Sequence, residues 1–443
     1  MKRDIYRQLE EWKHSVRRKP LVLNGARQVG KTYALKHFGK TSFENMVYVN
    51  FEKDEQLGEY FQGTLDPKNI IKLLSIHTGS LITAGKTLLV FDEIQECPKA
   101  LNSLKYFYEE ANDYHVVAAG SLLGVKVSKD EGFPVGKVNF LNMYPLRFFE
   151  FLSATNNEQL RVFLEEYSSL NPLPAPLHEK LIQLLKYYFF IGGMPEAVAE
   201  YIKHDNFTVV RDVHMEILTT YEKDFAKHAP PNEVMKITTV WKQIHRQLAK
   251  ENKKFIFSAI RKSARGRDFE VAIQWLLDAG LLHKSYLVQT PKFPLSAYAD
   301  PDAFKIFLCD IGLLGAQSGL SQRTIIEGNL LFTEFKGALT ENYIVQELLA
   351  SEGRQNYYWT SEGTAKVDFL LEGDHEIFPL EVKAGESQKK KSLLVYGQKY
   401  NPSTLYRTTL MNLKSDGNST NYPLYLISLL HKALQAKGQD AAT

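Results

Sequence analysis

The sequence predicts an α/β protein whose first part contains a parallel sheet. Residues 21–23 (LVL) form a short apolar run, and a glycine-bounded loop separates this run from a helical pattern at residues 31–38. Residues 88–91 (LLVF) form a second apolar run, which ends at two carboxylates. A short continuous apolar run is typical of a strand that is buried on both faces, as in parallel sheets. Strand, helix and further strand together predict a βαβ unit.

The loop after the first strand, GARQVGKT at residues 25–32, matches the pattern G-x-x-x-x-G-K-[ST]. Such a loop points successive backbone N–H groups and the start of a helix at one anion, which favours a di- or triphosphate. We expect Lys31 to reach the β- and γ-phosphates and the Thr32 hydroxyl to bind Mg²⁺. The alternative is a chance glycine-rich turn, which the flanking strand and helix disfavour. The predicted nucleotide contacts are Gly25, Ala26, Arg27, Gln28, Val29, Gly30, Lys31, Thr32 and Tyr33.

Two adjacent carboxylates, Asp92 and Glu93, follow the second apolar run. Phosphoryl transfer needs a carboxylate on the metal side and, for hydrolysis, a group that positions or deprotonates water. Asp92 is the candidate for the first role and Glu93 for the second. Such a pair is often only the end of a strand. Its position about 60 residues after the loop, as βαβ units allow, favours the functional interpretation.

A third strand is predicted at residues 116–119, and the polar residue Ser121 follows its end. The carboxyl ends of parallel strands meet at one edge of the sheet, where ligands bind. Ser121 is therefore a candidate sensor of the γ-phosphate. The alternative is a turn or N-cap serine, and the sequence alone does not separate the two.

Composition indicates a folded cytoplasmic enzyme of roughly two to four domains. The chain has 443 residues, 44% of them hydrophobic, which is enough for real cores. Because Cys97 and Cys309 are the only cysteines, a disulfide framework and a cysteine-based zinc site are excluded. A net charge of +3 does not by itself indicate nucleic-acid binding. No apolar run is long enough for a membrane span, and the charged N-terminal segment predicts an amphipathic helix rather than a signal peptide.

The middle of the chain is predicted to be mainly helical. A loop rich in Asn, Ser and Pro at residues 168–176 marks the entry into a second module. Helical patterns follow from residue 177 to residue 244, and GGMP at residues 192–195 interrupts them.

Residues 255–282 indicate a short helix, a basic turn, a helix capped by Asp268 and closed by Gly280, and then an apolar strand. This is the outline of a winged helix. In a DNA-binding role, the phosphate contacts would be Arg261, Lys262, Arg265 and Arg267. The alternative is a packing module with solvated basic residues. We favour the alternative slightly, because the second helix carries Glu270 and Asp278 but no lysine or arginine after residue 268.

Near the end of the chain, two strand patterns at residues 367–371 and 377–383 flank a turn-like segment and predict an antiparallel hairpin. Side chains alternate along a strand, so Glu381 and Lys383 share a face. Asp368 on the neighbouring strand can meet them.

Two carboxylates and a lysine are suited to a Mg²⁺ site in which the cation orients or helps to deprotonate water, as phosphodiester cleavage requires. Glu341, in a helical pattern at residues 337–350, could add a third carboxylate. The predicted metal ligands of this site are Glu341, Asp368 and Glu381, with Lys383 as the catalytic cation. The alternative is a hairpin with an exposed charged cluster, and the residues alone leave both possibilities open.

The chain resembles the bacterial and archaeal AAA+ family ATPases that pair an N-terminal P-loop domain with a C-terminal domain of unknown function, which itself resembles PD-(D/E)XK nucleases. The resemblance spans almost the whole chain. The segments that carry it are GARQVGKT, LLVFDEIQ, AAGSLLG, FPVGKVNFLNMYPLRFFEFL, GGMPEAV, FKIFLCDIGLL, GALTENYIVQELL and KVDFLLEGDHEIFPLEVKAG.

The resemblance implies three domains: an AAA+ domain at residues 1–152, a helical and winged-helix-like module at 153–300, and a restriction-endonuclease-like α/β domain at 301–443. It makes Gly25, Gly30, Lys31 and Thr32 the Walker A contacts. Asp92 and Glu93 become the Walker B pair and Ser121 the sensor residue. The nuclease-like positions are Glu341, Asp368, Glu381 and Lys383.

The sequence therefore predicts an ATP-binding, ATP-hydrolysing AAA+ protein whose nucleotide state controls a nuclease-like domain acting on DNA. ATP and Mg²⁺ are the expected cofactors, with DNA and further copies of the chain as partners to be tested. The alternative is a nucleotide-dependent switch, or a DNA- or protein-binding module, whose nuclease-like domain is inactive. The two differ at Glu381 and Lys383, which a nuclease needs and a binding module does not.

Overall fold

The computed structural model describes residues 1–120, 134, 136–167, 171–249, 255–256, 266–326, 333–384, 391–431 and 434, which form two compact units. The first unit contains Met1–Tyr144 and Asp278–Leu281. The second contains Pro145–Leu277 and Leu282–Thr443. The division into three domains at residues 152 and 300 stays a prediction.

The first unit is built around a five-stranded parallel sheet. Its strands are β1 (Leu21–Asn24), β2 (Asn45–Asn50), β3 (Thr87–Asp92), β4 (His115–Ala119) and β5 (Asn139–Asn142). Its helices are α1 (Ile5–His14), α2 (Lys31–Ser42), α3 (Pro67–Thr78) and α4 (Pro98–Glu110), with 3₁₀ helices at Glu55–Phe61 and Ile94–Glu96. The strand order is β2-β3-β4-β1-β5, and neighbouring strands are parallel. The predicted parallel sheet is confirmed, because the three predicted apolar runs are its adjacent strands β3, β4 and β1.

Burial explains why these runs become strands. All residues of β3 and β4 are buried, as in central strands that are covered on both faces. Three aromatic rings, of Phe51, Phe61 and Phe91, contact one another edge to face with centroids 5.5 to 5.7 Å apart. Because the strands are parallel, β1 and β3 end at the same edge of the sheet. That edge brings together the glycine-rich loop after Asn24 and the carboxylates that begin at Asp92.

The second unit combines helices with a mixed sheet. The helices are α5 (Phe148–Ala154), α6 (Glu158–Glu166), α7 (Ala175–Ile191), α8 (Pro195–His204), α9 (Phe207–His228), α10 (Val234–Leu248), α11 (Gly266–Asp278, whose last residue belongs to the first unit), α12 (Ile311–Gln317), α13 (Gln322–Ile326), α14 (Thr333–Glu352) and α15 (Lys391–Tyr400), with 3₁₀ helices at Leu295–Tyr298 and Leu424–Leu429. In neither unit does the described part of the chain contain a helix long and apolar enough to cross a membrane.

Eight strands form the sheet of the second unit. They are β6 (Leu282–Val288), β7 (Ala299–Leu308), β8 (Asn356–Thr360), β9 (Lys366–Glu372), β10 (Ile377–Val382), β11 (Leu405–Thr409), β12 (Lys414–Asp416) and β13 (Ser419–Pro423). Their order is β12-β13-β11-β10-β9-β8-β6-β7. The predicted hairpin is confirmed, since β9 and β10 pair in antiparallel fashion. On its other side β10 pairs with β11 in parallel, which sets Glu381 opposite Arg407.

Buried polar groups join two motifs of the second unit that the sequence did not connect. Asp310 caps α12, and its carboxylate accepts hydrogen bonds from the backbone N–H groups of Leu313 (3.0 Å) and Gly193 (2.6 Å). Burial raises the pKa of Asp310 to about 6, although these hydrogen bonds act to lower it. The segments GGMPEAV and FKIFLCDIGLL therefore have a structural role here: they tie the end of α7 to the start of α12.

Candidate functional site

The glycine-rich loop between β1 and α2 requires glycine at two positions. Gly25 has a φ of +145°, and a Cβ atom on it would lie 2.2 Å from the carbonyl oxygen of Met143. Gly30, directly before α2, has a φ of +95°. Side chains are strained in this region of backbone conformation, and at Gly25 one would also collide. The shape of the loop therefore depends on the two glycines of the motif.

Lys31 begins α2 and is buried although it carries an ammonium group. Its Nζ donates to the carbonyl oxygens of Gly25 (2.7 Å) and Ala26 (2.8 Å). Burial lowers the pKa of Lys31 to about 8, while the carboxylates of Glu93 and Asp92 act in the opposite direction. A partly desolvated cation, held inside a loop of backbone groups, is suited to an anionic ligand.

Asp92 ends β3 and is held by three hydrogen bonds. Its Oδ2 accepts from the hydroxyls of Thr32 (2.8 Å) and Tyr48 (2.6 Å). Its Oδ1 accepts from the backbone N–H of Glu93 (3.0 Å). The donors come from α2, from β2 and from the chain after β3, so the carboxylate is fixed from three sides beside the start of α2.

Glu93 has a backbone conformation that is uncommon for a residue other than glycine, with φ +50° and ψ +43°. The side-chain amide of Gln95 donates to its Oε2 at 2.5 Å. Residues in such conformations persist where the surrounding structure holds them, often at functional sites. The second carboxylate of the pair is therefore held by the 3₁₀ turn that follows it.

A second cluster lies on the hairpin of the second unit. The Nζ of Lys383 is 3.0 Å from Oε1 of Glu381, and the backbone N–H of Val382 donates to Oδ2 of Asp368 at 2.9 Å. Glu381 is buried, and its Oε2 has no hydrogen-bond partner among the described residues. Burial raises the pKa of Glu381, Lys383 lowers it and Asp368 raises it further. The structure thus brings together three of the four residues predicted for this site.

Glu341 on α14 has a different partner. Its Oε2 lies 3.0 Å from Nζ of Lys305 on β7, and both side chains are buried. In the part of the chain that the structure describes, no group of three or more His, Cys, Asp or Glu residues could hold a metal ion. In this structure the carboxylate of Glu341 is paired with Lys305 rather than grouped with Asp368 and Glu381. The metal-ligand roles of these residues stay predictions.

Comparison with protein families identifies the domain that contains the first of these sites. Residues 17–152 match the family model described as an AAA domain. This part of the chain is an AAA-family ATPase domain. Two models described as domains of unknown function match residues 182–324 (DUF8612) and 336–426 (DUF4143). The carboxylate and lysine cluster of the hairpin lies in the second of these, whose description assigns no activity.

Solved structures similar to the chain include nucleotide-binding proteins. The Walker-type ATPase PABY2304 of Pyrococcus abyssi is 14% identical with a TM-score of 0.42, covering 71% of this chain and 94% of that one. The Aeropyrum pernix Orc1 protein in complex with DNA is 14% identical with a TM-score of 0.26, covering 71% and 90%. AMPPCP-bound DnaA from Aquifex aeolicus is 14% identical with a TM-score of 0.27, covering 62% and 85%. No curated protein sequence is significantly similar to the chain. The AAA assignment follows from the family model.

The side chains of the AAA domain fit a nucleotide with Mg²⁺. The Thr32 hydroxyl and the Asp92 carboxylate are adjacent oxygen donors, which is the type of ligand that Mg²⁺ prefers. Lys31 provides a positive charge within the loop. Thr32 and Asp92 would hold the metal, and Lys31 with the loop N–H groups would hold the phosphates.

The other predicted contacts of the loop have varied environments. Gln28 has a φ of +64°. Val29 is buried, and its carbonyl oxygen accepts a hydrogen bond from Nη1 of Arg3 at 3.1 Å. The side chain of Tyr33 is exposed. Their contacts with a nucleotide, like those of Ala26 and Arg27, stay predictions.

Ser121 lies outside the described residues, as do Arg261, Lys262 and Arg265 of the basic turn. The structure therefore does not address the γ-phosphate sensor or these three DNA contacts. Arg267, the fourth predicted DNA contact, lies at the start of α11 and is exposed, and its contact with DNA stays a prediction. The helix and strand predicted after the turn are present as α11 and β6. β6 belongs to the eight-stranded sheet, where it pairs with β7 and β8.

The structure also places residues at the AAA site that the sequence did not point to. Tyr48 and Gln95 each donate to one of the two acidic residues. A Cβ atom on Gly280, which has a φ of +70°, would lie 3.1 Å from the backbone nitrogen of Ala26 in the loop. A signal for Tyr48 existed, because polar side chains at residues 48 and 50 alternate with valines at the end of a strand. For Gly280, the sequence indicated only the end of a helix and not a position beside the loop.

Proposed function

We propose that this chain binds ATP with Mg²⁺ at the glycine-rich loop and hydrolyses the bond between the β- and γ-phosphates, which releases ADP and inorganic phosphate. The observation that carries this proposal is the 2.8 Å hydrogen bond from the Thr32 hydroxyl to the Asp92 carboxylate, beside the buried Lys31. A magnesium-binding hydroxyl, an acidic partner and a phosphate-binding cation are the groups that phosphoryl transfer needs. The AAA family match of residues 17–152 supports the same class of reaction.

Each of these residues has a role in the proposed reaction. Lys31 balances the negative charge of the β- and γ-phosphates, and the loop N–H groups hold their oxygens. Bound Mg²⁺ would supply additional charge stabilisation. Glu93 accepts the proton of the attacking water. Gln95 donates to Oε2 of Glu93 and thereby helps to orient the carboxylate.

The test is ATP turnover and ATP binding by the full-length chain and two variants. Glu93→Gln keeps the size of the side chain but removes its basicity, so we expect turnover to fall by about 100-fold or more with ATP binding retained. Glu96→Gln is the matched control, since it makes the same chemical change at an exposed residue of the same turn. Unchanged turnover in Glu93→Gln would remove the assigned base.

We propose further that the nucleotide state of the AAA domain controls a nuclease-like C-terminal domain that acts on DNA. The nuclease-like part of this proposal is supported by the short distance between Lys383 and Glu381, the neighbouring Asp368 and the hydrogen-bonding capacity left on Oε2 of Glu381. A cation beside buried carboxylates fits metal-assisted attack of water on a phosphodiester. The sequence resemblance to PD-(D/E)XK nucleases points to the same chemistry.

The corresponding test is Mg²⁺-dependent cleavage of single-stranded, duplex and branched DNA, with and without ATP. We expect cleavage by the wild-type chain, dependence on ATP, and loss of cleavage in Glu381→Ala/Lys383→Ala. Lys414→Ala, which removes an exposed lysine from the same unit, is the matched control and should cleave normally. Cleavage that survives in the double variant would rule out this site.

A second candidate function is a nucleotide-dependent switch, or a DNA- or protein-binding module, with an inactive nuclease-like domain. The finding that favours it is the pairing of Glu341 with Lys305, which leaves two carboxylates rather than three at the hairpin. Under this alternative, ATP hydrolysis is intact, no DNA is cleaved under any condition, and Glu381→Ala retains partner binding. The same set of assays therefore separates the two candidates.

A further inference from the structure

Tyr48 lies on β2, two residues before the strand ends, and reaches the acidic end of the neighbouring strand. In the parallel register, Tyr48 is opposite Val90 and Asn50 is opposite Asp92. The phenol hydroxyl donates to Oδ2 of Asp92 at 2.6 Å. This is the same oxygen that accepts the Thr32 hydroxyl at 2.8 Å. Two hydroxyls from different elements therefore hold one carboxylate oxygen.

The direction of these hydrogen bonds is set by the chain after β2. Oδ1 of Asn50 accepts the backbone N–H groups of Glu52 (3.1 Å) and Lys53 (2.9 Å), which fixes the orientation of the amide. Its Nδ2 then donates to the Tyr48 hydroxyl oxygen at 3.2 Å. The phenol oxygen is thus an acceptor for Asn50, and its proton is directed to Asp92.

The ring of Tyr48 is held as well as its hydroxyl. The Nζ of Lys36, on α2, lies 4.2 Å from the ring centroid, within the range of a cation–π contact. Tyr48 is therefore held at its ring by α2 and at its hydroxyl by Asp92 and Asn50.

We propose that Tyr48 is a positioning residue for Mg²⁺, which holds the Asp92 carboxylate in the orientation that the metal site requires. This role rests on the proposed binding of ATP with Mg²⁺. Hydrogen-bond partners of metal-side carboxylates orient these ligands, and their loss typically lowers metal affinity about 10- to 100-fold. Tyr48 contributes to the binding of the metal, whereas contact with the phosphates belongs to the loop.

The test measures ATP binding by the full-length chain at increasing free Mg²⁺ and again in excess EDTA. Tyr48→Phe removes only the hydroxyl. We expect the Mg²⁺ concentration at half-maximal ATP binding to rise about tenfold or more. ATP affinity in EDTA should remain within error of wild type, because it does not depend on the orientation of Asp92 toward a metal.

Tyr60→Phe is the matched control, since it removes a phenol hydroxyl of the same unit that contacts Nδ1 of His77 at 3.0 Å rather than Asp92. Its Mg²⁺ midpoint should equal that of wild type. A wild-type midpoint in Tyr48→Phe would overturn the positioning role, as would equal losses with Mg²⁺ and with EDTA, which indicate a merely structural residue. A wild-type chain that binds no ATP would instead refute the proposed function, and this role with it.

Discussion

The hydroxyl of Thr32 donates to the carboxylate of Asp92 at 2.8 Å, although the two residues are 60 positions apart in the chain. The contact joins the first turn of α2 to the end of β3. The two groups that we propose to hold Mg²⁺ are brought together by the sheet, because the parallel strands β1 and β3 end at the same edge.

The first prediction concerns the hydroxyl of Thr32. Thr32→Ala removes the donor to Asp92 and the oxygen expected on Mg²⁺, so we expect ATP affinity in Mg²⁺ to fall about 10- to 100-fold. Thr32→Ser keeps the hydroxyl and should stay within a few-fold of wild type. Calorimetric titration with ATP and Mg²⁺ measures both. Equal affinities of the serine and alanine variants would contradict a role for the hydroxyl.

The second prediction concerns pH and Lys31, whose pKa burial lowers to about 8 in the folded chain without ligand. An anionic ligand favours the protonated lysine. Above about pH 8 binding must therefore include uptake of a proton, and we expect ATP affinity to decline by up to about tenfold per pH unit. Titrations between about pH 7 and about pH 9 measure this. Lys31→Arg, which stays charged throughout this range, should remove the decline, and a flat wild-type profile would contradict the prediction.

The lowered pKa of Lys31 also determines the direction in which this residue changes folding stability with pH. Between about pH 8 and 10.5 the unfolded chain retains a proton on Lys31 that the folded chain has released. The unfolded state then binds more protons, so this lysine makes stability rise with pH across that window. As the pH rises above about 8, Lys31 therefore increases folding stability while ATP affinity declines. Because the two trends have opposite signs, they can be distinguished experimentally.

The sequence was sufficient to predict the elements that carry the AAA site. Apolar runs at residues 21–23, 88–91 and 116–119 are bounded by loops, and continuous burial is the property that central parallel strands require. The loop motif predicted the start of α2, because its glycines are needed for the backbone conformation of the loop and its lysine supplies a positive charge there. Local pattern and fold agree in these segments, so the prediction did not depend on distant contacts.

Partners that are chosen by tertiary structure were not predictable in the same way. Tyr48 meets Asp92 only because β2 and β3 are adjacent and in a particular register. Glu341 was a candidate metal ligand by residue type, yet Lys305 on β7 engages its carboxylate in the protein interior. A sequence pattern shows that a buried charge needs a partner, but the identity of that partner depends on which elements pack together.

The third prediction concerns Gly280, which the first unit includes although most of its neighbours in sequence belong to the second. Its φ of +70° and the 3.1 Å from a built Cβ atom to the nitrogen of Ala26 both disfavour a side chain. We expect Gly280→Ala to destabilise the chain by about 1–2 kcal/mol and Gly280→Val by more. Both should weaken ATP binding, because the strain acts on the loop.

Thermal unfolding and ATP titration of the Gly280 variants check this prediction. Gly79→Ala is the control, since Gly79 also has a positive φ (+63°) but an added Cβ atom would meet no atom within 4 Å. It should lose stability through backbone strain and keep its ATP affinity. If Gly280→Ala binds ATP with wild-type affinity, the contact between residue 280 and the glycine-rich loop does not affect nucleotide binding.

The last prediction separates the two interpretations of Glu341. Glu341→Gln removes the negative charge from its buried ion pair with Lys305, so we expect a loss of about 3–5 kcal/mol in stability, with or without Mg²⁺. Replacing both partners, as in Lys305→Met/Glu341→Leu, should recover most of that loss, because burying no charge avoids the desolvation cost. Glu222→Gln is the control: Glu222 pairs with Lys242 at the surface, where the loss should not exceed about 1 kcal/mol. Calorimetric melting of wild type and these three variants, with and without Mg²⁺, measures these differences in stability. A Mg²⁺-dependent stabilisation that is present in wild type and absent in Glu341→Gln would make Glu341 a metal ligand after all.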